Sequence, residues 1–213
     1  MANSKPFFDL KSGRCSSVVD AMLLRYWEAR NVKGGGELMW VDMLMVDIKL
    51  SGIRFSADAM DVNEGRLRIL GETAKSHQVA GLITAIYSDL RVFAETKEVK
   101  YDKLLLDAPC SGIADLRLNC KLEDMEELKN LQDELLDSAS KPGGFLIYST
   151  CSIDPEENQG RVEAFLLRHP EFSVDPVDRL VPSSFVTSQG VFLSNPVKHS
   201  LDGAFAARLV RAL

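Results

Sequence analysis

The sequence has no run of about 18 apolar residues, so it contains no membrane span. Residues 1–15, MANSKPFFDLKSGRC, scatter their charges and hold no apolar core segment, which argues against a secretory signal peptide. The cysteines, Cys15, Cys110, Cys120 and Cys151, form no CxxC pair and keep no regular spacing. That excludes a zinc site and a disulfide framework and leaves reduced thiols. His77, His169 and His199 share no metal-ligand spacing with any of them. Positive charge is also short, with 25 Lys and Arg against 31 Asp and Glu and a net charge of −6. A nucleic-acid partner would therefore need a local basic surface or one on another domain. There is no internal repeat or low-complexity tract. These absences describe a soluble intracellular chain, and its 46% hydrophobic content is enough for one domain, or one domain plus an arm.

Against that background one stretch organises the rest, YDKLLLDAPCSG at 101–112. Lys103 to Leu106 reads as a strand covered on both faces, because three leucines in succession leave no polar side. Asp107, Pro109, Cys110 and Gly112 then end it in a tight polar turn. A carboxylate and a thiol thus stand at the carboxyl end of a central strand, where open α/β sheets bind ligands.

The rest of the chain reads as support. SSVVDAMLLRYWEA at 16–29 has the apolar spacing of an amphipathic helix ended by KGGG at 33–36, and the stretch from Glu37 to Phe55 alternates like a strand. ADAMDV predicts a strand ending at Asp61, with Asn63 capping a helix over 64–78 whose stripe is Leu67, Leu70 and Ala74. Leu82 to Tyr87 is the next strand. LEDMEELKNLQDELLDSAS at 122–140 is the plainest helix, with Leu122, Met125, Leu128, Leu131 and Leu135 in register. FLIYST follows and ends at Cys151, after which Asp154 caps a helix that starts at Pro155 and runs to about Arg168. In the tail, Leu180–Val186, Gly190–Leu193 and Ala204–Val210 are β-prone and suggest an antiparallel edge. Strand and helix alternating from Ala57 to His169 means a mostly parallel α/β sheet.

In such a sheet the strand ends share a rim, so Asp61, Asp89, Asp107 with Cys110, and Cys151 face one cavity. Asp61 occupies the place where an acidic residue accepts hydrogen bonds from a ribose diol, although a helix-flanking aspartate on a loop fits the same position. Asp89 is open to the same two readings. Cys151 precedes a helix N-terminus, which favours a thiolate, while Asp154, Glu156 and Glu157 oppose one. A lone buried cysteine is more often a small apolar residue, and two at neighbouring strand ends shift that balance. A cysteine hydrolase pairing Cys151 with His169 or His199 is a further option.

DAPCSG at 107–112, with YSTCS at 148–152 and DPEEN at 154–158, resembles the Sun-domain, RsmB/Nop-like family of RNA cytosine carbon-5 methyltransferases. The similarity extends over about 57–213 and includes DVNEGRL at 61–67 and HSLDGAF at 199–205. The resemblance implies a Rossmann-like methyltransferase sheet, mostly parallel with an antiparallel C-terminal edge and incomplete on its N-terminal side. It makes 1–56 a segment outside the family domain. It also implies S-adenosylmethionine as cofactor and RNA as partner, with ribosomal RNA the expected class. By motif, Cys151 is the nucleophile that adds to carbon 6 of cytosine, and Cys110 assists release by elimination. Asp107 serves the cofactor and the target base, Asp61 the ribose and Asp89 the adenine side.

The sequence departs from the family pattern in four places. No CAAPGGK-type loop precedes the Asp61 strand, and GlyGlyGly at 34–36 lacks the strand and the Ala-Pro context of one. The loop after Gly112 runs directly into IADLRLN, with Leu118 where Trp is usual. Ser140 meets Lys141 without the usual extra apolar residues, which puts the register of the Phe145 strand at stake. The family's additional N-terminal RNA-binding region is missing as well. A catalytically silent truncated isoform acting as a binding module is therefore the alternative function.

Overall fold

A computed structural model describes residues 21–31, 37–47, 57–96, 101–112, 122–140 and 143–212. The chain divides into two compact units, residues 1–88 and 89–213. The expected loop changes around Gly34–Gly36 and Leu118, and the cysteines Cys15 and Cys120, lie outside the described residues.

In the first unit, β1 (Ala21–Asn31) pairs antiparallel with β2 (Glu37–Asp47) from Ala21 opposite Asp47 to Asn31 opposite Glu37. This corrects the helix expected over 16–29 at residues 21–29, while residues 16–20 lie outside the described residues. Local helix propensity is a weak preference, and a long partner ladder next in sequence overrides it, aided by Tyr, Trp and Val in the two segments. Next, β3 (Ala57–Asp61) pairs parallel with β4 (Ile83–Tyr87), the crossover being α1 (Glu64–Ser76). Asn63 caps α1 as expected, its Oδ1 accepting the Arg66 amide at 3.1 Å, and Leu67 and Ala74 are buried. Leu82 belongs to a short 3-10 turn, so β4 begins one residue later than its apolar run.

The second unit opens with α2 (Leu90–Thr96) and holds a five-stranded sheet. Its order runs β5 (Tyr101–Asp107), β6 (Gly143–Thr150), β9 (Ala204–Arg211), β7 (Phe172–Val174), and β8 (Phe192–Ser194) also pairs with β9. The β5–β6 pair is parallel, and every pair involving β9 is antiparallel. The C-terminal edge is therefore antiparallel, as expected. One β-prone segment is corrected: within Leu180–Val186, residues 183–185 form a 3-10 turn and only Val186 bridges to Phe192. Pro182 fixes the entry to that turn and cannot donate to a ladder.

The core lies between this sheet and two helices, α3 (Leu122–Ser140) and α4 (Gln159–Arg168). Leu136 and Ala139 of α3 and Val162 and Phe165 of α4 meet Leu106, Leu146, Tyr148, Phe205, Ala207 and Leu209 of the strands. The α3 stripe is rotated from the expected one: Gln132, Leu136 and Ala139 are fully buried, whereas Met125, Leu128, Leu131 and Leu135 are partly exposed. The leucine run of β5 is also covered on one face only, since Leu106 is buried but Leu105 is 51% exposed. Ion pairs from Arg161 to Asp133 at 2.7 Å and from Arg168 to Asp137 at 3.0 Å cross the outer side of the α3–α4 contact.

Two glycines give opposite expectations. Gly190 has φ +78, and an added Cβ would sit 3.1 Å from Pro176 Cβ, so Gly190→Ala combines a left-handed backbone with a clash. Gly71 lies inside α1 with nothing within 4 Å of an added Cβ. In urea unfolding, Gly190→Ala is expected to destabilise by about 2 kcal/mol and Gly71→Ala to stabilise by about 1 kcal/mol.

Candidate active site

The parallel ladder of β5 and β6 builds the site. Its register runs unbroken from Lys103 opposite Phe145 to Asp107 opposite Ser149, so the short joint at Ser140 causes no slip. One further bond, from the Ala108 amide to the Ser149 carbonyl at 2.9 Å, carries the two chains past the end of the sheet together. Asp107 is exposed at this end, and Gly112 closes the turn at φ +65. The two loops bring Cys110 Sγ and Cys151 Sγ to 3.1 Å, with Cys110 half-buried and Cys151 exposed.

At that distance one sulfur hydrogen-bonds the other. The contact with Cys151 holds the Cys110 thiol down at about 7, below the ordinary thiol range. Burial opposes the shift, the backbone amides of Gly112 and Cys151 support it, and the Glu157 charge again opposes it. Near neutrality the pair therefore shares one proton, as a thiol donating to a thiolate.

The loops are fixed from beneath by buried polar side chains. The Ser111 amide donates to Glu157 Oε1 at 2.8 Å and the Ser111 hydroxyl to Oε2 at 2.5 Å. Gln132 Nε2 donates to the Pro109 carbonyl at 2.8 Å and to Glu157 Oε1 at 3.2 Å. On the other loop, the Thr150 hydroxyl donates to Asn158 Oδ1 at 2.6 Å, and Asn158 Nδ2 donates to the Ser152 carbonyl at 2.8 Å. Tyr148 anchors the arrangement by donating to the Glu157 carbonyl at 2.7 Å. Burial drives the Tyr148 phenol far up, with the Glu157 charge adding to it, so it remains neutral.

This network corrects the helix expected from Pro155. Residues 155–158 form turns, and α4 begins at Gln159. Asp154 Oδ1 accepts the Glu156 amide at 2.8 Å, so Asp154 caps a turn instead of the helix. Asn158 precedes α4 with a non-helical backbone, and its side chain serves Thr150 and Ser152 rather than the helix end. Sequence reasoning missed Gln132, Glu157 and Asn158 as site-supporting residues. The one available signal was a glutamine on the buried line of an otherwise apolar helix stripe.

The candidate carboxylates are placed differently. Asp61, in the first unit, accepts the Asn63 amide at 2.7 Å and Arg66 Nη2 at 2.9 Å. Both bonds fall on Oδ1, which leaves Oδ2 able to accept from a diol. Asp89, in the second unit, starts α2 and is gripped by Arg91 through both oxygens, at 3.0 and 2.6 Å. Its hydrogen bond from Arg91 holds its carboxyl below the usual range, against a modest burial penalty. The structure thus joins Asp107, Cys110 and Cys151 in one unit and assigns Asp61 to the other. The histidines are engaged elsewhere: His169 faces Asp137 and Glu171, while His199 accepts from the Asn195 amide and faces the Ser184 carbonyl. That leaves the thiol–imidazole alternative without support. Among the described residues no cluster of three or more His, Cys, Asp or Glu side chains could hold a metal, and no helix is long and apolar enough to cross a membrane.

Parallel strands with helical crossovers, antiparallel C-terminal strands and functional groups at the strand ends define an α/β methyltransferase fold. Residues 49–210 match the family model described as 16S rRNA methyltransferase RsmB/F, and the chain belongs to that family. A ribosomal RNA small subunit methyltransferase B of Shewanella oneidensis is 38% identical over 122 residues, covering 53% of this chain and 28% of the relative. The protein of the same name from Xylella fastidiosa strain 9a5c is 36% identical over 166 residues, covering 73% of this chain and 38% of the relative. The chain thus spans about a third of the length of these curated relatives. The solved structure of NSun6 from Pyrococcus horikoshii with SFG superposes with a TM-score of 0.64 at 28% identity, covering 74% of this chain and 42% of that one.

The thiol pair makes a pH-dependent prediction. The thiolate fraction grows as pH rises, so iodoacetamide labelling of the pair, read by peptide-resolved mass spectrometry, is expected to climb with a midpoint near 7. An isolated thiol would give about 8.5. In Cys151→Ala, labelling of Cys110 is expected to shift to higher pH, because the hydrogen bond that lowers it is gone while burial and Glu157 remain.

Proposed function

We propose that this chain is the catalytic part of an S-adenosylmethionine-dependent RNA cytosine carbon-5 methyltransferase acting on ribosomal RNA. We assign 57–213 to the methyltransferase-like domain and 1–56 to a segment outside it. The observation that carries the reading is the 3.1 Å approach of two thiols at the ends of adjacent parallel strands, one of them exposed. Family membership and relatives named as small subunit rRNA methyltransferases support the reaction class and the RNA partner.

Carbon 5 of cytosine is a weak nucleophile, and a thiol at carbon 6 corrects this. The Cys151 thiolate forms a bond to carbon 6, and the ring π electrons move so that carbon 5 becomes enamine-like. S-adenosylmethionine, when bound, supplies the methyl group that carbon 5 takes. Carbon 5 then loses its proton, the bond between sulfur and carbon 6 breaks, and the Cys151 thiolate is restored. Cys110, in contact with Cys151, is placed to assist this elimination as the proton-accepting partner.

For the cofactor, Asp61 Oδ2 suits a ribose hydroxyl, and Asp107 lies exposed at the end of β5. Asp89 would serve the adenine side with its carboxylate already braced by Arg91.

The test is adduct trapping with small subunit ribosomal RNA and S-adenosylmethionine, read on a denaturing gel. Cys110→Ala is expected to accumulate a covalent protein–RNA band because release is impaired. Cys151→Ala and the double variant are expected to give none. If Cys110→Ala yields no band while calorimetry shows that it binds both ligands, the assigned roles are wrong. No heat with millimolar cofactor would favour a binding module instead.

A further inference from the structure

The neighbours of both cysteines are held by three side chains that are each 0% exposed: Gln132, Glu157 and Asn158. Gln132 takes the Pro109 carbonyl and Glu157 takes Ser111, so Cys110 is pinned from both neighbours. Asn158 takes Thr150 and Ser152 and does the same for Cys151. Glu157 and Asn158 are adjacent in sequence, so one short turn ties the end of β5 to the end of β6.

Stability alone gives little reason for this choice. A buried carboxylate loses its hydration, and its hydrogen bonds typically no more than offset that loss, whereas apolar packing of similar volume stabilises as well or better. Glu157 bonds both polar groups of Ser111, the residue next to Cys110.

We propose that Glu157, which binds Ser111 through both carboxylate oxygens and is itself held by Gln132, is a positioning residue that presses Cys110 against Cys151. The inference rests on the methyltransferase reading for its purpose, since that reading needs Cys110 held against the Cys151 sulfur.

The test uses the full chain alone, without RNA or cofactor. Diamide joins two thiols as a disulfide: both sulfurs lose a proton, the S–S bond forms, and the N=N bond of diamide is reduced to a hydrazine. The rate of Cys110–Cys151 disulfide formation, followed by peptide mass spectrometry, therefore reports their approach. Glu157→Ala is expected to slow it by about tenfold, the worth of one charge-assisted hydrogen bond. Glu157→Gln retains an acceptor for the Ser111 amide and a partner for its hydroxyl, so it is expected to restore the rate to within about twofold of the wild type. If Glu157→Ala does not fold, Ser111→Ala, which removes the hydroxyl bond alone, is expected to slow closure by about threefold.

A wild-type disulfide rate in folded Glu157→Ala, or in Ser111→Ala where Glu157→Ala does not fold, overturns the positioning claim. Because these readouts need no substrate, a failed adduct experiment with an intact clamp would count against the methyltransferase reading alone.

Discussion

The register between β5 and β6 is the constraint on which the rest depends. Side chains alternate along a strand, so a slip of one residue would turn Leu146 and Tyr148 out of the core. It would also move the two cysteine loops apart by about 3.3 Å, the rise of a single residue. The register is secured from both sides of β6, with β5 parallel along one edge and β9 antiparallel along the other. Buried Leu146 and Tyr148 lock it from within, and the Tyr148 ring packs edge-on against Phe205 at 6.2 Å. A short joint between α3 and β6 is therefore tolerated, because the strand is positioned by its neighbours and its core face and not by the length of the connection.

A ladder fixes strands but not the irregular loops that leave them, which is why a second layer of order lies below the sheet ends. Loop backbones with no sheet partner need other hydrogen-bonding groups when they are buried. Gln132 from α3, and Glu157 and Asn158 from the turn before α4, supply them. The delayed start of α4 follows from this arrangement. Had the helix begun at Pro155, Glu157 and Asn158 would occupy its first turn, with positions set by the helix and not by the loops they hold.

Much of the described fold was legible in residue order. The run into Asp107, the span of α3, the Asn63 cap and the strand ending at Cys151 each rest on local signals strong enough to survive folding. The failures share a non-local cause. Residues 21–31 carry helical spacing but pair with the next segment. Leu105 sits in an apolar run yet is half-exposed, since hydrophobicity shows that a strand favours burial and not which face is covered. Glu157 was read as a helix-start charge, because nothing in a sequence distinguishes a solvated first-turn glutamate from a buried one.

These placements separate two parts of the chemistry. Asp107, Cys110, Cys151 and the residues that hold them all belong to the unit from 89 to 213, whereas Asp61 belongs to the other. Among the described residues, the hydrogen bonds that hold the two cysteine loops come from Gln132, Glu157 and Asn158 of the second unit. In the proposed reaction, attack on cytosine and supply of the methyl group place separate demands on the chain, and the thiol pair that would meet the first is held by side chains of its own unit.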